Sequence, residues 1–162
     1  DGWNVRDDNL LACSDDHVRA VFEMLSRHNH RPVFSGGLEA RRLMPWHAEA
    51  LQELHPQRMY FAYDSPGALE PLMQAGKLLR DVGFNPRGHR LCCYVLIGFR
   101  DDTFDRAEQR LVNAIQAGFM PYAMLYRDET GETSEDWRRF QREWLRPQIV
   151  GAKMREVWRD DD

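Results

Sequence analysis

Apolar and polar positions alternate along this chain in two periods. Val18, Val21, Phe22 and Leu25 recur at i, i+3, i+4 and i+7, the stripe with which a helix faces a core. Ser14, Asp15 and Asp16 precede them, offering oxygens to bare amides and carboxylates to the positive end of a helix dipole. The spacing predicts a helix from there to the stretch Arg27 to His30. Pro45 suits a first turn, and Ala48, Leu51 and Leu54 give a second helix over roughly residues 45–54. Asp64-Ser65-Pro66 starts a third: a capping side chain, then a proline at the first helical position. Its apolar face is Leu69, Leu72, Met73, Gly76 and Leu79, and Gly83 is its left-handed C-cap. Asp101-Asp102-Thr103 caps a fourth helix bearing Phe104, Ala107, Leu111, Ala114 and Ile115 and closed by Gly118. Ser134-Glu135 begins a last one with Trp137, Phe140 and Trp144, interrupted by Pro147, after which the chain turns increasingly polar.

Between the helical stripes lie short continuous apolar runs. Trp3 to Val5, Val33-Phe34, Arg58 to Tyr63, Leu91 to Phe99 and Phe119 to Tyr126 read as strands, the fourth of them fully buried. Each ends in polar residues or glycine: Asp7-Asp8-Asn9, Ser35-Gly36-Gly37, Tyr63-Asp64-Ser65, Ile97-Gly98-Phe99 and Tyr126-Arg127-Asp128. The ends recur every ~25–35 residues, which suits strands alternating with helices in a parallel sheet with right-handed crossovers. Five strand ends would then share one rim, the side on which such folds bind ligands. Five βα units are too few for the eight of a closed barrel, so the sheet is open or completed by a neighbouring segment.

Composition narrows the class. The 162 residues fit one domain, and 43% hydrophobic with 30% charged residues is ordinary for a soluble globular protein. A formal charge of −4 gives no overall basic field, so nucleic acid is unsupported as a partner. No apolar run is long enough to span a membrane and none reads as a signal peptide, which makes a cytoplasmic location the expectation. Cys13, Cys92 and Cys93 give neither a disulfide framework nor a metal-ligand spacing. The start, Asp1-Gly2-Trp3-Asn4-Val5, enters a buried-looking segment at once, and the chain reads as cut from something longer.

Candidate chemistry sits at the strand ends. Asp7, Asp8 and Asn9 offer oxygens to a ligand amine, or else a turn and a helix cap. Ser35-Gly36-Gly37 offers backbone amides to an anion, or a tight turn, without the spacing of a Walker or dinucleotide motif. Asp64 and Ser65 serve as a cap that can also accept from a ribose hydroxyl. Gly98 lets a flat ring approach backbone, and Tyr126, Arg127 and Asp128 can meet an anion or a ring. Cys92 and Cys93 are adjacent on a strand and point to opposite faces. The six histidines show no i, i+4 pair, and none is assigned to catalysis.

Taken in order, these segments resemble the radical S-adenosylmethionine (SAM) superfamily, of the cobalamin-binding and methylthiotransferase type, over residues 1–150. Arg6 to Ala12 is similar to the end of that family's second strand, Phe34 to Arg41 to the third, Met59 to Ser65 to the fourth, Tyr94 to Phe99 to the fifth and Phe119 to Asp128 to the sixth. The resemblance implies an α/β fold, a partial (β/α) barrel of TIM type with about five βα units, and a polar extension over residues 151–162. It implies SAM bound across the rim and cleaved reductively at a [4Fe–4S] cluster, with an electron-donor protein serving the intact enzyme. Asp8 and Asn9 would lie near the methionyl amine. Ser35, Gly36, Gly37, Glu39 and Arg41 would approach its carboxylate or the ribose, and Asp64 and Ser65 the ribose. Ile97, Gly98 and Phe99 would face the adenine, and Tyr126 and Arg127 the substrate. The family's C-x-x-x-C-x-x-C loop is missing here, and the three cysteines have the wrong spacing to replace it. The cluster ligands are therefore expected upstream of Asp1, no metal is expected in this chain, and the fragment alone should not cleave SAM. Two other readings remain: a βα hydrolase or phosphate-binding domain with a divalent metal on Asp8 and Asp64, and a non-catalytic interaction module docking through Trp137 and Trp144.

Overall fold

The computed structural model describes residues 3–127, 129 and 131–159. Strands β1 (Asn4–Val5), β2 (Val33–Leu38), β3 (Arg58–Tyr63), β4 (Leu91–Ile97) and β5 (Met120–Leu125) form one sheet in the order β1-β2-β3-β4-β5, every neighbouring pair parallel. Helices α1 (Asp15–Ser26), α2 (Pro45–Leu54), α3 (Leu69–Asp81) and α4 (Phe104–Gln116) connect them, and α5 (Glu135–Trp144) and α6 (Pro147–Val157) follow β5. With right-handed crossovers, an order that never reverses puts the connecting helices on one face. The fold is α/β, a partial (β/α) barrel. A doubly wound sheet would reverse its strand order.

Burial along the strands follows from that one-sided cover. Met59, Phe61 and Tyr63 of β3 and Leu91, Cys93, Val95 and Ile97 of β4 are buried in the core with Phe22, Leu51, Leu72 and Leu111 from the helices. The other face carries half-buried Tyr60, Tyr94 and Tyr122. Tyr60 and Tyr94 stack with ring centroids 4.7 Å apart, and Tyr122 meets both edge-on. For this reason β4 is not buried throughout as its sequence suggests: Tyr94 and Leu96 are only half-buried. Cys92 and Cys93 do point to opposite faces, and burial pushes the Cys92 thiol up to about 12 and the Cys93 thiol well above its ordinary value.

Caps are where short polar side chains suggest. Ser14, Thr103 and Ser134 accept from the backbone N–H groups of His17, Arg106 and Trp137. Gly83 and Gly118 take positive φ at helix ends, at 102° and 95°. Four features depart from expectation. β2 does not stop at its glycine pair: the register shifts between Phe34 and Leu38, and Leu38 then pairs with Phe61. Neither Asp64 nor Ser65 caps a helix with its side chain, because a short 3-10 turn, Pro66–Ala68, intervenes before α3. Met73 is exposed. Beyond Pro147 the chain is helical rather than a polar tail, with Val150 and Met154 buried and the Trp158 indole donating to the Ile115 carbonyl at 3.0 Å.

Candidate functional site

The rim is built by a close approach between two strand ends. A Cβ on Gly36 would lie 1.9 Å from the carbonyl oxygen of Asp7, so only glycine lets β2 pass the end of β1 there. Gly37 follows with φ 99°, a conformation that disfavours side chains. The Asp7-Asp8-Asn9 segment is thereby held against β2, and Asn9 reaches Glu39: its side-chain amide donates to Glu39 Oε2 at 2.8 Å. Arg42 and Arg41 each donate from Nε to the same carboxylate at 2.8 Å. The Arg42 hydrogen bond is the main cause that holds the Glu39 carboxyl below its ordinary value, with Asn9 and Arg41 adding to it. Asn9 Oδ1 is left buried with no hydrogen-bond partner. A buried acceptor in that state favours a donor from outside the protein.

Asn9 is also one of the residues lining a cavity of about 410 Å³, with Asp8, Gly36, Gly37, Glu39, Arg41, Asp64 and Ser65. All eight were expected at a ligand site, Asp8, Asn9, Gly36, Gly37, Asp64 and Ser65 from their strand-end positions and Glu39 and Arg41 from the resemblance. The volume falls within the ~300–1,000 Å³ usual for small-molecule pockets. Asp64 lines the cavity from the end of β3, without a capping role, and partial loss of solvent around its carboxyl raises its pKa. Ala62 and Tyr94 form the floor on the open face of the sheet, with Leu38, Ala40, Ala68 and Pro71 completing the wall. The floor residues escape a search for polar strand ends. Their signal is alternation: Ala62 sits between buried Phe61 and Tyr63, so it must face the other way.

Other residues named from the sequence lie elsewhere. Ser35 is outside the cavity and joins β2 to β1, its hydroxyl donating to Asn4 Oδ1 at 2.7 Å. Ile97 is fully buried on the helix side of β4, so it offers no surface at the rim. The Gly98 N–H is occupied, donating to Asp102 Oδ2 at 2.8 Å. At that end the exposed apolar surface belongs to Phe99 and Tyr126, whose rings meet edge-on at 4.7 Å, with Arg100 above Phe99. Arg127 is exposed, and Asp128 lies outside the described residues.

Protein-family models, curated proteins and solved structures gave no match to this chain. The site therefore has to be read from its own chemistry. Its acceptors fit a ligand that carries an amine and hydroxyls: the Asn9 amide oxygen and the carboxylates of Asp8, Glu39 and Asp64, beside glycine backbone. It does not fit an iron–sulfur cluster held by this chain, because Cys92 and Cys93 are buried on opposite faces and Cys13 stands apart. Asp8 and Asp64 belong to no group of three metal-ligating residues among the described residues. Trp144 is buried and Trp137 packs on Phe104 and Phe140, so the Trp144 indole offers no surface for docking.

Proposed function

We propose that this chain is the SAM-binding part of a radical SAM enzyme, with the cavity at the ends of β1, β2 and β3 as the SAM site. The observation that carries the reading is the buried, unpartnered Oδ1 of Asn9, a residue that lines that cavity. The methionyl ammonium donates to it, and the Asp8 carboxylate beside it supplies charge. The Arg41 guanidinium, bonded to Glu39 through Nε, has further N–H groups for the methionyl carboxylate. Ribose hydroxyls donate to Asp64 across the cavity. The order of the strand-end segments and the partial (β/α) barrel that carries them support the same assignment.

A [4Fe–4S] cluster held by a segment other than this one supplies the electron for reductive cleavage when bound, with an electron-donor protein behind it. What this chain contributes is position: it orients the amino-acid end of SAM through Asn9, Asp8 and Arg41 and the ribose through Asp64.

Calorimetric titration with SAM and with 5′-methylthioadenosine, which lacks the amino-acid part, tests the reading. SAM is expected to bind tighter than methylthioadenosine, and Asn9→Ala to reduce SAM affinity by roughly 10–100-fold, as for a hydrogen bond to a charged group, while leaving methylthioadenosine affinity unchanged. Equal affinity of the unaltered protein for both ligands, or no binding of either, would overturn it.

A further inference from the structure

We infer that Asp7, Cys13 and His17 form a site for a divalent transition metal of the zinc type, separate from the cavity and independent of the ligand proposed for it. One ligand atom from each residue lies within 4.8 Å of the other two. Tetrahedral zinc with ordinary Zn–S and Zn–N or Zn–O bonds sets its ligand atoms roughly 3.4–3.7 Å apart. The excess is at most about 1.1–1.4 Å, within reach of side-chain rotation.

Three different local structures converge on this point. Asp7 is fixed by the Gly36 contact behind its carbonyl, and its Oδ1 accepts from the Asn9 N–H at 3.4 Å. Cys13 closes the 3-10 turn Leu10–Ala12, its N–H donating to the Leu10 carbonyl at 3.1 Å, and that turn is anchored by buried Leu10 and Leu11. His17 lies in the first turn of α1, its N–H donating to the Ser14 hydroxyl at 3.4 Å. The backbone positions of the three residues are therefore set by core packing, a turn and a helix cap, and do not depend on the side chains meeting one another.

The chemistry selects the ion. A thiolate, an imidazole and a carboxylate suit zinc and its neighbours, whereas magnesium and calcium take all-oxygen sets. Asp15 and Asp16 in the same first turn offset the positive end of the α1 dipole, which alone would repel a cation. Three protein ligands leave one position of a tetrahedron open, and Asp7 and His17 are solvent-exposed, so water or an added ligand can occupy it. The Asn9 N–H bond to Asp7 orients the carboxylate as outer-shell partners of metal ligands do. Spacing concealed the set: five residues separate Asp7 from Cys13 and three separate Cys13 from His17, across a strand end, a turn and a helix. The ion would close the segment that carries Asp8 and Asn9, and so fasten one wall of the cavity.

Cobalt(II) titration of chelator-treated protein tests this. One equivalent of cobalt is expected to bind with a sulfur-to-cobalt charge-transfer band, to be displaced by zinc, to lose the band in Cys13→Ser and to bind at least about 10-fold more weakly in His17→Ala. A second measurement uses the unaltered protein: zinc is expected to shield Cys13 from iodoacetamide, read by mass spectrometry, while buried Cys92 and Cys93 stay unmodified with or without metal. Absence of the charge-transfer band, its survival in Cys13→Ser, or alkylation of Cys13 at the same rate with excess zinc would each overturn the site.

Discussion

Glu39 and Asp64 face one cavity and respond to pH in opposite senses. The Arg42 hydrogen bond lowers the Glu39 pKa in the folded protein from its ordinary 4.5, so this carboxylate contributes stability that is fully present above 4.5 and is lost as pH falls through the folded value. Burial raises the Asp64 pKa above its ordinary 3.8, so the folded state holds that proton more tightly and stability falls as pH rises from 3.8 through the folded value. Glu39→Gln is therefore expected to shrink the loss of Tm between about pH 6 and pH 3, and Asp64→Asn to enlarge it, in a thermal denaturation series. Equal acid slopes in all three proteins would refute both assignments. At this scale the sequence points to Asp8, Asn9, Gly36, Gly37 and Asp64 because each follows an apolar run, but the same signal also points to Ser35 and Ile97, which do not line the cavity. It does not show that Asn9 pairs with Glu39, thirty residues away, since that contact exists only because Gly36 lets two backbones touch.

Between elements, the junction of β4 and α4 is fastened by one ion pair. Arg110 donates to Asp102 at 2.6 and 3.1 Å and to the Leu96 carbonyl at 3.0 Å, while Asp102 also accepts from the Gly98 N–H. The Asp102 side chain is 5% exposed and that of Arg110 19%. Removing one partner of a pair this far from water leaves the other charge uncompensated, so Asp102→Ala is expected to cost about 3–5 kcal/mol in urea denaturation. Asp101→Ala, at an exposed neighbour, is expected to change stability by under about 0.5 kcal/mol. From the sequence, Asp101-Asp102-Thr103 reads as one capping cluster. In the fold only Thr103 caps α4, and Asp102 is turned inward by Arg110, a partner two helical turns on. Elements whose signal is local, such as α2 and β3, have the bounds their patterns give. α6 was hidden by its charged residues, although Pro147, Val150 and Met154 mark its first turn and buried stripe.

For the molecule as a whole, no helix among the described residues is long and apolar enough to cross a membrane. The sheet order β1-β2-β3-β4-β5 has a consequence for how the chain opens and closes. Each strand pairs with its sequence neighbour, so every loop closed during folding is about one helix long and the entropy cost of closure stays small. Opening from an edge needs no interior strand to move, and β1, two residues long and paired on one side, is the weaker edge. The other edge strand, β5, is tied to α5, with the Gln141 side chain donating to the Ala123 carbonyl at 2.9 Å. Hydrogen–deuterium exchange is expected to be slowest in β3 and β4 and fastest in β1 and the start of β2; uniform protection across the sheet would rule this out. The cavity straddles that gradient, with Asp8 and Asn9 beside the fastest-opening strand and Asp64 at the end of a slow one. A ligand gripping both walls would therefore act as a clasp, lengthening the lifetime of the β1 edge far more than that of the centre.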